Sequence, residues 1–64
     1  MLDYCEVRRD LIEDGLLVPT GTGGYLSGGV FEVIECRDSG EFNLTIRDSF
    51  MRMHDVMSID FDFI

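Results

Sequence analysis

The 64-residue chain contains no lysine, and it has only one proline, one histidine and two cysteines. Every positive charge is therefore an arginine, and there are five of them. Proteins bind nucleic acids and anionic membranes through clustered lysine and arginine side chains. The shortage of cations therefore predicts that the chain contacts neither nucleic acid nor membrane directly.

The few cysteines and the single histidine argue against an enzyme. Cys5 and Cys36 lie far apart without the C-x-x-C spacing of a zinc site. Both have apolar neighbours, which favours buried, inert thiols over a disulfide or a nucleophile paired with His54. We expect no catalytic residue, no metal and no cofactor.

Long apolar runs are also missing, since no stretch approaches the roughly 18 residues of a membrane-spanning helix. The start, Met1-Leu2-Asp3, lacks the positive residues of a signal peptide. These features predict a cytoplasmic location, in the host cytoplasm if a phage encodes the chain.

Six of the seven glycines lie between residues 15 and 29. This stretch has no Walker lysine and no G-x-G-x-x-G register, so it is not a phosphate-binding loop. Its composition is typical of a loop or a hairpin.

Acidic residues dominate the charge. Thirteen carboxylates give a formal net charge of −8 and a pI near 4.2. A chain of this length forms one domain, residues 1–64, and buries only about 60% of the surface that its unfolded form exposes. It has little room for a deep substrate cleft.

The first segment has the periodicity of a helix. Tyr4, Val7 and Leu11 recur at helical spacing. Asp3 is placed to cap the helix and Gly15 to end it. The pattern predicts an N-terminal helix.

The rest of the chain has the pattern of strands. Val30–Cys36 is largely apolar and indicates a buried strand, and Arg37–Gly40 indicates a turn. Glu41–Arg47 alternates, which predicts an antiparallel hairpin with the preceding strand. Phe50–His54 fits either a strand extension or a single helical turn. The closing stretch alternates again and predicts a strand with these residues inward: Met57, Ile59, Phe61 and Phe63.

Together these elements predict an α+β fold, with one N-terminal helix packed on an antiparallel sheet of three or four strands.

Regular spacing of acids on this fold predicts a binding surface. Asp60 and Asp62, two apart on a strand, would lie on one face about 6.8 Å apart. A lattice of fixed negative charges attracts arginine- and lysine-lined channels that hold DNA or RNA. The predicted partner-binding surface consists of Asp10, Glu13, Asp14, Glu32, Glu41, Asp60 and Asp62.

In size, acidity and absence of a catalytic motif, the whole chain resembles the small phage-encoded inhibitors of host defence, including anti-CRISPR proteins that act as DNA mimics. The resemblance implies a basic, nucleic-acid-binding partner, such as a CRISPR-Cas effector, whose access to nucleic acid is blocked by charge mimicry. The alternative is a structural or assembly module that self-associates through an exposed edge strand at Met57–Ile64. The expected state is a monomer or a weak homodimer.

Overall fold

The computed structural model describes residues 3–64. Met1 and Leu2, on which the signal-peptide expectation partly rests, lie outside this range. Within it the protein is mostly β, with seven strands and two short helices. In chain order the elements are β1 (Asp3–Val7), α1 (Arg9–Glu13), β2 (Val18–Pro19), β3 (Tyr25–Leu26), β4 (Val30–Cys36), β5 (Leu44–Arg47), β6 (Met53–Val56), a 3-10 helix (Ser58–Asp60) and β7 (Phe61–Phe63).

Five strands form one antiparallel sheet in the order β6-β5-β4-β1-β7. The consecutive strands β4, β5 and β6 form a meander, and β1 lies between β4 and β7. The predicted hairpin of Val30–Cys36 with the following strand is confirmed, although β5 begins at Leu44 and not at Glu41. A bulge between Val33 and Glu35 interrupts the pairing of β4 with β5.

The glycine-rich stretch forms the hairpin that its composition indicates. Strands β2 and β3 pair with each other as a second, two-stranded sheet. An isolated bridge between Thr20 and Val56 joins this hairpin to β6. The Gly21 N–H also donates a hydrogen bond of 2.8 Å to the Asp55 carbonyl. The hairpin therefore occupies part of the outer edge of β6.

The predicted N-terminal helix is wrong, and with it the expected helix-on-sheet class. The segment divides into β1 and the one-turn helix α1. Cys5 and Val7 are buried and alternate with the more exposed Tyr4 and Glu6, which is the period of a strand. Hydrogen bonds to strands on both sides stabilise β1, whereas an isolated short helix is marginal in water.

The placement of Gly15 at the end of a helix is confirmed for α1. Gly15 has a φ of +70°, which glycine adopts without steric cost. Its N–H donates to the Ile12 carbonyl, and the Leu16 N–H donates to the Leu11 carbonyl. These two bonds form a Schellman motif. Gly15 therefore ends a helix as its position in the sequence indicates, although that helix is short.

The core lies on one face of the five-stranded sheet. Leu11 of α1 and Leu26 of β3 pack against it, so the helix and the hairpin cover this face. Phe31 and Phe61 meet edge to face, with ring centroids 6.0 Å apart. The buried apolar residues are Cys5, Val7, Val18, Phe31, Leu44, Ile46, Val56 and Phe61.

The connection from β6 to β7 requires the sheet to curl. These strands are its two edges, and a flat five-stranded sheet would separate them by about 19 Å. Only Met57–Asp60 joins them, and three of these residues form a 3-10 helix that rises about 2 Å per residue. The edges must therefore approach each other, which encloses the core face.

The predicted long strand at Met57–Phe63 is wrong in its first half. The 3-10 helix replaces it there, and β7 begins only at Phe61. Phe61 is buried as expected, whereas Ile59 and Phe63 are 71% and 54% exposed. The 3-10 helix between β6 and β7 interrupts the alternation of buried and exposed side chains.

The core position of Ile46 can be tested by removing one methylene group. Ile46 is fully buried, so Ile46→Val should lower the free energy of unfolding by about 0.5–1.5 kcal/mol. The measurement is urea denaturation followed by circular dichroism. The matched control is Ile59→Val on the exposed 3-10 helix, which should change stability by less than about 0.5 kcal/mol. Equal losses in the two variants would contradict the assigned core.

Candidate interaction surface

The face of the sheet opposite the core is called the open face here. Its side chains alternate with those of the core. Strand register aligns Tyr4, Glu32, Arg47 and Met53 in one row across β1, β4, β5 and β6. Tyr4 and Met53 are 44% and 55% exposed. The row therefore places apolar side chains on either side of an ion pair.

The ion pair at the centre of the open face joins Glu32 and Arg47. The Arg47 Nε donates to the Glu32 Oε1 over 2.8 Å, and Arg47 Nη2 donates to the same oxygen. The Glu32 side chain is only 16% exposed, so the pair is better shielded from water than a typical surface salt bridge. Glu32 lies on the outward strand face as predicted, but its charge is balanced within the protein.

A second arginine neutralises acids near the loop between β4 and β5. Arg37 Nη1 donates to Glu35 and to the Thr45 hydroxyl, both over 2.8 Å, and its Nη2 donates to the Phe42 carbonyl. Arg37 also lies 3.6 Å from Asp55. The hydrogen bond to Glu35, followed by the charges of Glu35 and Asp55, raises the pKa of Arg37. The Arg37 guanidinium therefore stabilises the loop between β4 and β5.

A third arginine connects β1, α1 and the 3-10 helix. Arg8 Nη2 donates to Asp10 Oδ2 over 2.6 Å, and Arg8 Nη1 donates to the Ile59 carbonyl over 3.0 Å. The hydrogen bond to Asp10 is the main cause that raises the pKa of Arg8, and the negative charges of Asp62 and Asp60 raise this pKa further. The same bond lowers the pKa of Asp10. Arg8 thus brings three of the predicted acidic residues into one neighbourhood.

Two carboxylates that form no salt bridge lie side by side at the edge of the sheet. Glu6 of β1 and Asp62 of β7 are directly opposite each other. Neither forms a hydrogen bond or a salt bridge with another described residue. Like charges directly opposite on neighbouring strands are destabilising. Sequence reasoning missed Glu6 because it assigned the segment to a helix, although the alternation of β1 was a usable signal.

The structure separates Asp60 from the surface position predicted for it. Asp60 belongs to the 3-10 helix, so the expected strand pair of Asp60 with Asp62 is wrong. The Asp60 Oδ2 is buried and has no hydrogen-bond partner among the described residues. Asp62 is exposed on β7, as predicted.

The other predicted acids do not join them in one patch. Glu13 and Asp14 are exposed at the end of α1, which packs on the core side. Glu41 is exposed in the loop after β4, whereas β1 and β4 pair so that Glu6 lies beside Val30 at the other end. The seven-residue β4 spans about 20 Å between those ends. The acids therefore lie on several sides of the protein.

The cysteines and the histidine form no nucleophile–base pair. Cys5 is buried, and this burial raises the pKa of its thiol to about 11. Cys36 is exposed, so its expected burial is wrong. The His54 Nε2 lies 2.9 Å from Asp48 and contacts neither thiol by hydrogen bond. In the part of the chain that the structure describes, no three His, Cys, Asp or Glu side chains are grouped to hold a metal, and no pocket is present.

Asp48 organises the turn between β5 and β6. Its Oδ1 accepts hydrogen bonds from the Phe50 N–H at 2.8 Å and the Arg52 N–H at 2.9 Å. Its Oδ2 pairs with His54. The bond to His54, followed by the two backbone bonds, lowers the pKa of Asp48. The turn contains Met51, which has a φ of +66° and is held there by these contacts.

Comparison of the chain with protein-family models, curated proteins and solved structures finds no significant match. No helix within residues 3–64 has the length and apolar composition needed to cross a membrane.

Protonation of Asp48 should weaken the fold in acid. A carboxyl group whose pKa is lowered by folding contributes stability above its unfolded pKa, about 3.9, and this contribution is lost as the pH falls through the folded value. Asp48→Asn should therefore reduce the loss of thermal stability below about pH 4. The measurement is thermal unfolding by circular dichroism across this range. The matched control, Asp38→Asn in an exposed bend, should keep the wild-type dependence, and an equal flattening there would contradict the assignment.

The two thiols should differ in reactivity. A maleimide reagent at neutral pH should label Cys36 in the native protein, because thiolate reacts and Cys5 is buried with a raised pKa. Mass spectrometry should find one label in the native protein and two after denaturation. Cys36→Ser should leave the native protein unlabelled, and rapid labelling of that variant would show that Cys5 is accessible.

Proposed function

We propose that the chain is a small acidic protein that binds a basic, nucleic-acid-binding protein, such as a CRISPR-Cas effector, and blocks its access to nucleic acid by charge mimicry. The proposal is of a binding protein and not of an enzyme. It acts in the cytoplasm, in the host cytoplasm if a phage encodes it. Two free cysteines support this location, because reducing compartments keep thiols unpaired.

The observation that carries the proposal is the way in which the arginines are used. Arg8, Arg37 and Arg47 each form a salt bridge with a carboxylate. Five of the thirteen acidic residues take part in salt bridges within residues 3–64. Three of the five arginines are therefore paired with carboxylates, and the remaining carboxylates have few positive charges near them to offset their own.

The positions of the unpaired acids favour a partner that surrounds the protein. Exposed carboxylates occur at α1, at the loop after β4 and at β7. The protein measures 30 × 23 × 22 Å, so a positive channel can contact several of these places at once. Charges of one sign at several places raise the association rate with a channel of the opposite sign.

A second candidate function is self-association through the strand β7. The observation that favours it is that β7 is an edge of the five-stranded sheet, with Phe63 54% exposed. Edge strands present unpaired backbone groups that other strands can pair with. A dimer that persists at high salt in light scattering would support this function, because its backbone bonds depend little on ionic strength.

The proposed inhibition should depend on salt and on the unpaired acids. With a guide-loaded CRISPR-Cas effector and labelled target DNA, increasing amounts of the protein should reduce DNA binding at about 50 mM salt and much less at about 300 mM. Together, Glu13→Gln, Asp14→Asn and Glu41→Gln should raise the half-inhibitory concentration at least about 3-fold, since each exposed pair contributes about 0.2–1 kcal/mol.

The control for this experiment changes the charge in the other direction. Arg9 is exposed and forms no ion pair with a described residue, so Arg9→Gln should strengthen inhibition. The expected ranking is Arg9→Gln above wild type above the triple variant. An effect that does not follow net charge, or that survives at high salt, would rule out charge mimicry.

A further inference from the structure

We propose that β7 receives an extended, basic segment of the partner as an added strand, with an arginine or lysine of that segment placed opposite Asp62. The inference rests on the proposed function and specifies how part of the basic partner is bound. Strand addition is a known mode of peptide recognition, in which backbone hydrogen bonds provide affinity and alternate side chains provide specificity.

The first argument is the direction of the backbone groups of β7. The Ile64 N–H donates to the Tyr4 carbonyl, and the Arg8 N–H donates to the Asp60 carbonyl. In an antiparallel ladder, hydrogen-bonded residues recur every second position, so Asp62 faces β1 and the peptide groups of Phe61 and Phe63 face away from it. The Phe61 N–H is used within the 3-10 helix. The Phe63 N–H and C=O have no partner in residues 3–64 and are available to an added strand.

The second argument compares the two edges of the sheet. The outer edge of β6 already pairs with the β2–β3 hairpin through Thr20 and Gly21. No corresponding strand lies along β7 in the described part of the chain. Phe63 and Ile64 are 54% and 70% exposed. The Phe63 end of β7, away from the connection to β6, therefore has room for a strand about 4.8 Å away.

The third argument is charge, which decides between a second copy and a basic partner. The two-fold antiparallel pairing that uses both Phe61 and Phe63 would place Asp62 opposite Asp62 of the second copy. Like charges directly opposite destabilise a sheet, and charged residues on edge strands prevent self-pairing in this way. A basic residue at that position would instead lie beside Asp62, with Glu6 next along the same row.

The geometry also defines the sequence pattern of the added strand. The residue opposite Asp62 lies on the open face and is basic. Its neighbours, opposite Phe61 and Phe63, lie on the other face, where Phe63 offers an exposed aromatic ring. The segment therefore has the alternating order apolar, basic, apolar.

The test uses a ten-residue peptide of alternating valine and arginine, with the full-length protein labelled with nitrogen-15. Binding should shift the Phe63 amide resonance and slow its hydrogen exchange. The control peptide has the same sequence with N-methyl groups on alternate residues, which keeps its charge and removes its strand-pairing N–H groups. It should bind at least about 5-fold more weakly, as expected when more than one hydrogen bond is lost.

Two protein variants separate the backbone contribution from the charge contribution. Phe63→Pro removes the outward N–H together with the exposed phenyl ring and leaves the bonds to β1, so it should weaken the peptide at least about 5-fold while the fold persists. Asp62→Asn should weaken it about 2- to 5-fold at low salt. Thermal unfolding and the amide spectrum report whether each variant is folded, and the N-methylated peptide gives the backbone result on the unchanged protein.

The possible outcomes distinguish this inference from the proposed function. If Asp62→Asn weakens binding but N-methylation and Phe63→Pro do not, the inference is overturned, and charge-based inhibition can still stand on its own assay. If light scattering finds a homodimer that Phe63→Pro abolishes, β7 binds a second copy and the inference is again overturned. If the peptide protects Phe63 but DNA binding by the effector is unaffected, strand addition stands and the proposed function fails.

Discussion

The fold depends on the pairing of β1 with strands on both sides. Residues near one end of the chain contact β4 along one edge and β7 along the other. Cys5 and Val7 consequently lie at the centre of the core. With β7 fixed beside β1, the short connection from β6 must cross between the two edges, and the sheet has to curl. The enclosed face and the open face both follow from this arrangement.

The arrangement of charge follows from the same sheet. Glu32 and Arg47 pair across neighbouring strands, and Arg37 lies against β5 beside Glu35. These arginines balance the acids of the middle of the open face. Glu6 lies on β1 and Asp62 on the edge strand β7, and neither forms a hydrogen bond with Arg37 or Arg47. The carboxylates without a salt bridge therefore lie at the periphery of the sheet and in its loops.

The sequence pattern was informative for strands that pair with their neighbours in sequence, and it was misleading for strands that pair with distant segments. Val30–Cys36 and its hairpin partner were predictable from apolar content and alternation, and the glycine-rich hairpin from its turn residues. Tyr4, Val7 and Leu11 fit a helical period, but Cys5 and Val7 also fit a strand, and only pairing with distant strands decides between them. The charge excess was predictable from composition. Neither the separation of Asp60 from Asp62 nor the pairing of Glu32 with Arg47 was visible without the register.

The pairing of β1 with β7 also has a consequence for folding. Cys5 and Phe63 are partners, so this contact closes a loop that contains most of the described residues. Contacts between residues far apart in sequence slow folding, because the entropy of closing a long loop is lost before the contact stabilises anything. The meander of β4, β5 and β6 involves only neighbouring segments and can form earlier. We therefore expect the edge that carries Asp62 to be completed late in folding.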